Sequence, residues 1–282
     1  MRDFVGEGKT AAVRLEDGAP VLGRSVSGAR GLECGEAAAP AVERSRNVTS
    51  PASTVLSGLL EPASQTDWAL RCVDLAIGYA PGQPVREHLD VEIPAGVSTV
   101  ITGPNGVGKS TLALTLAGLL PQLAGRVEAG DDRSDPHSWS SRQLLTRLGF
   151  VFQQPEHQFV TASVRAELAV GLQALKWPTA DVTARVDELL GVLHLDGLAD
   201  ANPFTLSGGE KRRLSVGTVL ATGPQVIILD EPTFGQDRTT WCDMVGLIRT
   251  LLNEGRTVVS VTHDQALMDA LGENRIDLGG AS

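Results

Sequence analysis

The chain has 282 residues, and 42% of them are hydrophobic, which is enough for a sizeable buried core. Its formal net charge of −10 disfavours nucleic acid as the main partner, because a phosphate backbone repels an acidic surface. No stretch approaches about 18 consecutive apolar residues, so the sequence predicts no transmembrane helix.

Residues 1–65 are rich in alanine, glycine, serine and proline and keep neither helical nor strand periodicity for long. We predict that this segment is disordered or weakly structured, because it has too little patterned apolar content to join a core. It also lacks the apolar run of a signal peptide. The folded domain is therefore predicted to cover residues 66–282.

Two antiparallel strands are predicted at the start of this domain, in the stretches LRCVDLAI and REHLDVEI. Tyr79, the single tyrosine of the chain, lies between them. Taken alone, this residue is compatible with an ordinary surface tyrosine.

A phosphate-binding loop is predicted at residues 103–111, which read GPNGVGKST. The loop follows STVIT, a run typical of a buried parallel strand, and precedes the helix-like TLALTLAGLL. Backbone N–H groups are expected to surround phosphate, Lys109 to reach the β and γ oxygens, and Ser110 to ligate Mg²⁺. A chance match is the alternative, and the flanking strand and helix argue against it. The residues predicted to bind the nucleotide are Gly103, Pro104, Asn105, Gly106, Val107, Gly108, Lys109, Ser110 and Thr111.

The middle of the domain is predicted to be mainly helical. A strand is expected around residues 125–129, and the stretch GFVFQQPEHQF contains a second strand followed by a polar loop. Amphipathic patterns such as SVRAELAVGLQAL and TARVDELLGVLHL predict helices between residues 163 and 198. Strand and helix then alternate from Val226 to the end, which is typical of an α/β core with a parallel sheet.

An acidic pair ends the apolar stretch QVIILDEPT. A parallel strand presents its carboxyl end to the ligand crevice, so Asp230 is predicted to hold Mg²⁺ through water. Glu231, one residue further, is predicted to polarise the attacking water. The alternative is a strand capped by two solvated acids, and the order of phosphate loop followed by acidic strand end favours phosphoryl transfer.

The sequence LSGGEKRR, between Leu206 and Arg213, resembles the signature of ABC ATPases, and the resemblance covers about residues 69 to 279. In that family the signature contacts the γ-phosphate bound by the opposite subunit. Two glycines at a helix start suit this role, because they let the backbone approach an anion closely. The resemblance implies nucleotide contacts from Ser207, Gly208, Gly209 and Glu210.

Three further positions are implied by the same resemblance. Gln153, preferred over its neighbour Gln154, matches the glutamine that senses Mg²⁺ and the attacking water. His263 closes the strand-like TVVSVTH and matches the histidine that contacts the γ-phosphate, and Tyr79 matches the aromatic residue that stacks on adenine. The predicted catalytic residues are Glu231, His263, Gln153 and Lys109, and the predicted metal-binding residues are Ser110, Gln153 and Asp230.

The sequence departs from the family after Thr233, where leucine commonly precedes an aspartate. This chain has Gln236 before Asp237. Asp237 is retained, so the loop is expected to cross a dimer interface. Gln236 leaves open how the two nucleotide sites communicate.

The fold class implied by the resemblance is α/β: a P-loop NTPase of the ABC ATPase type with a RecA-like parallel-sheet core. An antiparallel β subdomain and a helical signature subdomain, at about residues 155–215, are expected to complete it. The implied cofactors are ATP and Mg²⁺. The implied partners are a second ABC ATPase, identical or different, and an integral membrane transporter subunit, with no nucleic acid.

The stretches VFQQPEHQF and GYAPGQPV are similar to ATPases of energy-coupling factor importers, which take up vitamins or metal ions. The function implied is an ATP-hydrolysing subunit at the cytoplasmic face of the cell membrane. A soluble ABC ATPase acting in assembly or repair is the alternative. The loop at residues 154–158 is predicted to meet the membrane subunit, with Glu156 and Phe159 as coupling side chains.

Overall fold

The computed structural model describes residues 68–130 and 133–279. The prediction made for residues 1–65 therefore falls outside the described part of the chain. Within that part, no helix combines the length and the hydropathy needed to cross a membrane.

A three-stranded antiparallel sheet opens the domain, with the strand order β2-β1-β4. The central strand β1 pairs antiparallel with both neighbours, so the first two predicted strands are confirmed. Its alternating inward residues, including Leu70 and Cys72, are buried. The strands are β1 (Trp68–Ile77), β2 (Arg86–Pro94) and β4 (Ala124–Ala129).

A five-stranded parallel sheet forms the centre, with the order β5-β6-β7-β3-β8. Both faces of β6 are covered, because Ile227 and Leu229 belong to one apolar cluster while Val226 and Ile228 belong to another. A strand buried on both faces needs a continuous apolar run, which explains VIILD. The strands are β3 (Ser98–Thr102), β5 (Leu148–Val151), β6 (Val226–Asp230), β7 (Thr257–Val261) and β8 (Asn274–Asp277).

Seven helices surround the two sheets within the described residues. The first is shorter than the predicted TLALTLAGLL, because it ends at Leu116 and Gly118 takes a left-handed φ of 70° that stops it. The helices are α1 (Lys109–Leu116), α2 (Ser141–Arg147), α3 (Val164–Ala174), α4 (Thr179–Val192), α5 (Gly208–Thr222), α6 (Arg238–Asn253) and α7 (Gln265–Leu271).

Helices α3, α4 and α5 pack into a helical layer beside the parallel sheet. Their buried leucines and valines, such as Leu168, Leu189 and Leu214, join the same apolar cluster as Ile227 of β6. The cluster anchors the start of α5 to the sheet and so fixes where the signature lies. The parallel core, antiparallel sheet and helices confirm the predicted fold class.

Candidate nucleotide-binding site

The carboxyl ends of four neighbouring parallel strands bring the predicted residues to one edge of the sheet. Strand β3 leads into the phosphate loop, β5 into Gln153, β6 into Asp230 and Glu231, and β7 into His263. Ligands bind in open α/β sheets outside the carboxyl ends of the strands. The strand order therefore gathers into one crevice residues that are far apart in the sequence.

The loop before α1 has the features of an anion site. Gly108, the residue before the helix, has a left-handed φ of 102° and offers no side chain to cap it. The first turn contains no acidic residue. The backbone N–H groups at the helix start are thus open, and the positive end of the helix dipole faces the loop without opposition.

Lys109 lies within this loop and is buried, with 8% of its surface exposed. Its ammonium donates hydrogen bonds to the carbonyl oxygens of Gly103, at 2.8 Å, and Pro104, at 3.0 Å. A side chain at Gly103 would meet Val107 at 3.1 Å, and its φ of 141° favours glycine. The loop therefore surrounds the Lys109 ammonium and holds its positive charge in the position where phosphate oxygens would bind.

Asp230, at the end of β6, has the properties of a metal ligand. Its Oδ1 is buried and has no hydrogen-bond partner, while the Ser110 hydroxyl donates to the same carboxylate. Burial is the main cause that raises the pKa of Asp230, and the bond from Ser110 opposes it. A buried carboxylate oxygen without a partner, beside a serine hydroxyl, fits a divalent cation that prefers oxygen ligands.

Glu231 and His263 contact each other at the same edge. His263 Nδ1 lies 2.7 Å from Glu231 Oε1, and the Thr262 hydroxyl donates to Oε2 at 3.2 Å. The backbone of Glu231 takes a left-handed φ of 48°, which is uncommon for a residue with a side chain and is typical of functional sites. The carboxylate is thus held in one orientation in the crevice.

Asp264 is a further residue that the sequence reasoning missed. Its carboxylate accepts hydrogen bonds from the Thr233 hydroxyl and from Trp241 Nε1, each at 2.8 Å, and it caps α7. It therefore ties the loop after Glu231 to the turn that carries His263. An aspartate directly before a helical pattern is a recognisable N-cap signal, so the capping role could have been found.

Arg212 of α5 was also missed. Its guanidinium donates to the carbonyl oxygens of Phe152, at 2.8 Å, and Gln153, at 2.6 Å. Burial lowers the pKa of this arginine, and the charges of Asp230, Glu156 and Glu231 oppose that shift. The side chain of Gln153 itself is exposed. No local signal marks such an arginine, because its partners lie some sixty positions earlier in the chain.

The signature loop is exposed and caps itself. The Ser207 hydroxyl accepts from the backbone N–H of Glu210 at 3.4 Å, and the Glu210 carboxylate accepts from that of Ser207 at 2.8 Å. The Glu210 carboxylate is thus engaged in holding the helix start. A side chain at Gly208 would meet nothing within 4 Å. Among the described residues, no hydrogen bond joins this loop to Lys109 or its neighbours.

Tyr79 follows β1 and is 67% exposed. The loop that carries it lies against the phosphate loop: a Cβ atom added to Gly108 would lie 3.0 Å from Cγ1 of Val85, which belongs to the same loop as Tyr79.

Asp237 caps α6, because its carboxylate accepts a hydrogen bond from the backbone N–H of Thr240 at 3.0 Å. This loop residue therefore has a structural role.

Phe159, which the sequence predicts to be a coupling side chain, does not lie on the surface. Phe159 is 6% exposed and belongs to the main apolar cluster, where its ring lies edge to face with that of Phe204, 5.9 Å between centroids. Its neighbour Val160 is 74% exposed. The two residues are consecutive, yet the side chain of Phe159 is buried in the core and that of Val160 is exposed.

The fold and the loop define a P-loop protein that binds nucleoside triphosphates. Residues 87–234 match the protein family described as ABC transporter. The chain therefore belongs to the ABC transporter family and is an ABC ATPase by fold and sequence.

Several relatives and solved structures are similar to this chain. It is 38% identical over 187 residues to the energy-coupling factor transporter ATP-binding protein EcfA1 of Halalkalibacterium halodurans, covering 66% of each protein. A structure of cbiO1 from Clostridium perfringens, part of the ABC transporter complex cbiONQ, has a TM-score of 0.65 at 32% identity, covering 75% of this chain and 85% of that one.

A dimeric ATP-binding cassette bound to ADP and Pi in a post-hydrolysis state is also similar, with a TM-score of 0.66 at 26% identity. That comparison covers 74% of this chain and 94% of the cassette. The chain spans 36% of the length of a longer relative from Bacillus subtilis, to which it is 38% identical.

Proposed function

We propose that this chain is the ATP-binding and ATP-hydrolysing subunit of a membrane importer, of the energy-coupling factor type. The observation that carries the proposal is the crevice in which Lys109, Asp230, Glu231 and His263 meet at the ends of adjacent parallel strands. Similarity to an energy-coupling factor transporter ATP-binding protein and to cbiO1, part of the ABC transporter complex cbiONQ, supports the transport role.

The chain's own residues would divide the chemistry of hydrolysis among them. Lys109 and the open N–H groups of α1 bind the β and γ phosphates, and Tyr79 stacks on the base. Glu231 orients and polarises the attacking water, and His263, hydrogen-bonded to that carboxylate, fixes its direction and reaches the γ-phosphate. Positioning and charge stabilisation supply most of the acceleration in phosphoryl transfer.

Mg²⁺ would be held by the Ser110 hydroxyl and the Asp230 carboxylate, with Gln153, after the end of β5, as a further ligand. The bound ion would neutralise charge on the β and γ phosphates. The buried Asp230 oxygen without a hydrogen-bond partner supports this assignment.

A second nucleotide-binding domain is needed to use the signature. Among the described residues, no hydrogen bond joins Ser207, Gly208 or Gly209 to the phosphate loop, and Gly208 has free space around it. We propose that they bind the γ-phosphate held by a second ABC ATPase, identical or different. The dimeric cassette to which this chain is similar supports that arrangement.

The membrane subunit is proposed to dock in a groove beside residues 154–158. The groove has a volume of about 510 Å³, and its exposed rim includes Leu119, Val160 and Val170. An apolar rim next to polar groups suits a helix from another protein. Because Phe159 is buried, Val160 replaces it as the candidate coupling side chain.

Replacing Glu231 with glutamine tests the proposed function. The change removes the group that polarises water and leaves the phosphate loop intact, so turnover should fall by about a hundredfold to ten-thousandfold. ATP binding should persist, and ATP should trap a dimer visible by gel filtration with light scattering. Steady-state ATPase activity equal to that of the wild type would contradict the assignment of Glu231.

A second measurement separates the importer from the soluble alternative. Val160→Asp should leave ATP binding and the melting temperature unchanged, because the side chain is exposed and lies outside the crevice. It should abolish co-purification with a membrane subunit. Glu87→Gln, an exposed position on β2, is the matched control and should change neither property. If the wild type itself co-purifies with no membrane protein, the soluble alternative is favoured.

A further inference from the structure

The segment that follows β5, residues 152–158, forms hydrogen bonds along the length of helix α5. Lys211 Nζ of α5 lies 2.9 Å from Glu156 Oε1. Gln158 Nε2 donates to Ser215 O and to the Thr218 hydroxyl, each at 3.2 Å. These three residues of α5 are spaced i, i+4 and i+7, so they share one face of the helix.

Arg212 provides the strongest attachment between the segment and the helix. Only 2% of its surface is exposed, and its two terminal nitrogens donate to the consecutive carbonyl oxygens of Phe152 and Gln153. Charge-assisted hydrogen bonds of this length are roughly twice as strong as neutral ones. Gln158 also binds the start of the segment, because its Oε1 accepts from Phe152 N at 3.0 Å.

The attachments run from the segment to α5, and α5 begins at the signature. Ser207 caps this helix, and Arg212 lies little more than one turn beyond it. Residues 152–158 are therefore connected to Ser207, Gly208 and Gly209 through a continuous helix rather than through a flexible loop.

We propose that residues 152–158 and α5 form one mechanical unit, with Arg212 as the positioning residue that holds Gln153 and the signature in a fixed relation. This inference rests on the proposed function, because it links the glutamine at one nucleotide to the signature that serves the other. Loss of Arg212 should therefore uncouple ATP binding from dimer closure while the phosphate loop still binds ATP.

A matched control lies at the other end of the same helix. Arg256 is also 2% exposed, and its Nη1 donates to the carbonyl oxygens of Gly223, at 2.6 Å, and Pro224, at 2.9 Å. Gly223 is the residue that ends α5. Arg256→Met thus removes a similar buried charge and two similar bonds without touching the segment at residues 152–158.

The experiment compares Arg212→Met with Arg256→Met, both in the Glu231→Gln background. Dimerisation is measured by analytical ultracentrifugation with and without ATP, and affinity is measured with a fluorescent ATP analogue at protein concentrations too low for dimers. Arg212→Met should weaken ATP-driven dimerisation about tenfold or more, the equivalent of one charged hydrogen bond, and change monomer affinity less than about twofold. Arg256→Met should dimerise like the parent, although both variants melt at lower temperature.

Equal dimerisation of Arg212→Met and the parent, or an equal defect in Arg256→Met, would overturn the inference. A parent that does not dimerise with ATP would exclude an identical chain as the partner and overturn this inference, whereas the proposed function would stand with a different ABC ATPase as the partner. If Arg212→Met does not fold, Arg212→Lys takes its place in the experiment. An ammonium cannot donate to both carbonyls in a fixed fork, so dimerisation should still weaken.

A charge exchange provides an independent measurement. Glu156→Lys and Lys211→Glu should each weaken ATP-driven dimerisation modestly, by about twofold to fivefold, because the pair is partly exposed. The double variant restores opposite charges and should restore dimerisation. Additive loss in the double variant would show that the two side chains do not act through each other and would contradict a single unit.

Discussion

Two glycine-containing loops in this molecule lead into helices, and the two helix starts differ in whether a side chain caps them. Gly108 begins α1 without a side-chain cap, so the helix start is open to an anion. Ser207 and Glu210 close a capping box at the start of α5, so two backbone N–H donors there are already satisfied within the chain. Lys109 is buried in the first loop, whereas Ser207 is exposed in the second.

In the proposed function, the open loop supplies ATP affinity within a single chain, and the capped loop offers its glycine backbone to the nucleotide held by another molecule. We therefore expect changes in the first loop to affect ATP binding, and changes in the second to affect assembly.

Lys109→Ala should produce the largest effect on affinity. The charged hydrogen bonds to the β and γ phosphates are worth about 1.5–3 kcal/mol, so ATP affinity should fall about tenfold to a hundredfold. Calorimetry at protein concentrations that keep the chain monomeric measures this directly. If the variant and the wild type bind ATP with equal affinity, the first loop does not supply ATP affinity, and the proposed difference in role between the two loops is wrong.

The same substitution in each loop sharpens the comparison. Gly108→Ala forces a side chain into a left-handed backbone, 3.0 Å from Val85, and should cost about 1–2 kcal/mol or more of stability together with ATP affinity. Gly208→Ala meets no atom within 4 Å and should leave the melting temperature unchanged or raise it, since alanine favours a helix. It should weaken only ATP-driven dimerisation. Equal loss of melting temperature in the two variants would contradict this difference.

Ser207→Ala separates capping from phosphate binding. Loss of the hydroxyl acceptor should cost about 1 kcal/mol, and the melting temperature should fall about 2–4 °C. Ser207→Asp keeps an oxygen cap and should retain stability, but its charge opposes an incoming phosphate and should prevent dimerisation. If Ser207→Asp dimerises with ATP as well as the wild type, the signature does not contact the nucleotide.

The smallest expected effect concerns the pH dependence of the capping box. The bonds from Ser207 lower the pKa of Glu210, so its charged form stabilises the folded state. That contribution is present above the ordinary pKa of a glutamate and is lost as the pH falls through the lowered value. Near neutral pH, the wild type should therefore have a higher melting temperature than Glu210→Gln. The melting temperatures of the two proteins should converge in acid. A difference that stays constant with pH would show that the charge plays no part.

The sequence by itself determined the order of strands and motifs along the chain. A β-branched run before GPNGVGKST and an apolar run before Asp230 predict parallel strands, and parallel strands present their carboxyl ends to one crevice. These signals are local, since each motif is contiguous and adjoins the strand that positions it. Lys109, Asp230 and Glu231 could therefore be predicted as one site, while His263 was implied by the family resemblance.

Only the tertiary structure decided which side chains join these motifs and which face the core. The carbonyls that Arg212 binds lie about sixty residues before it, and the side chains that Asp264 binds lie on other elements. Phe159 reads as part of a polar loop, yet the helical layer buries it. Such contacts depend on how sheet and helices pack, and packing follows from burial summed over the whole domain rather than from any single stretch of sequence.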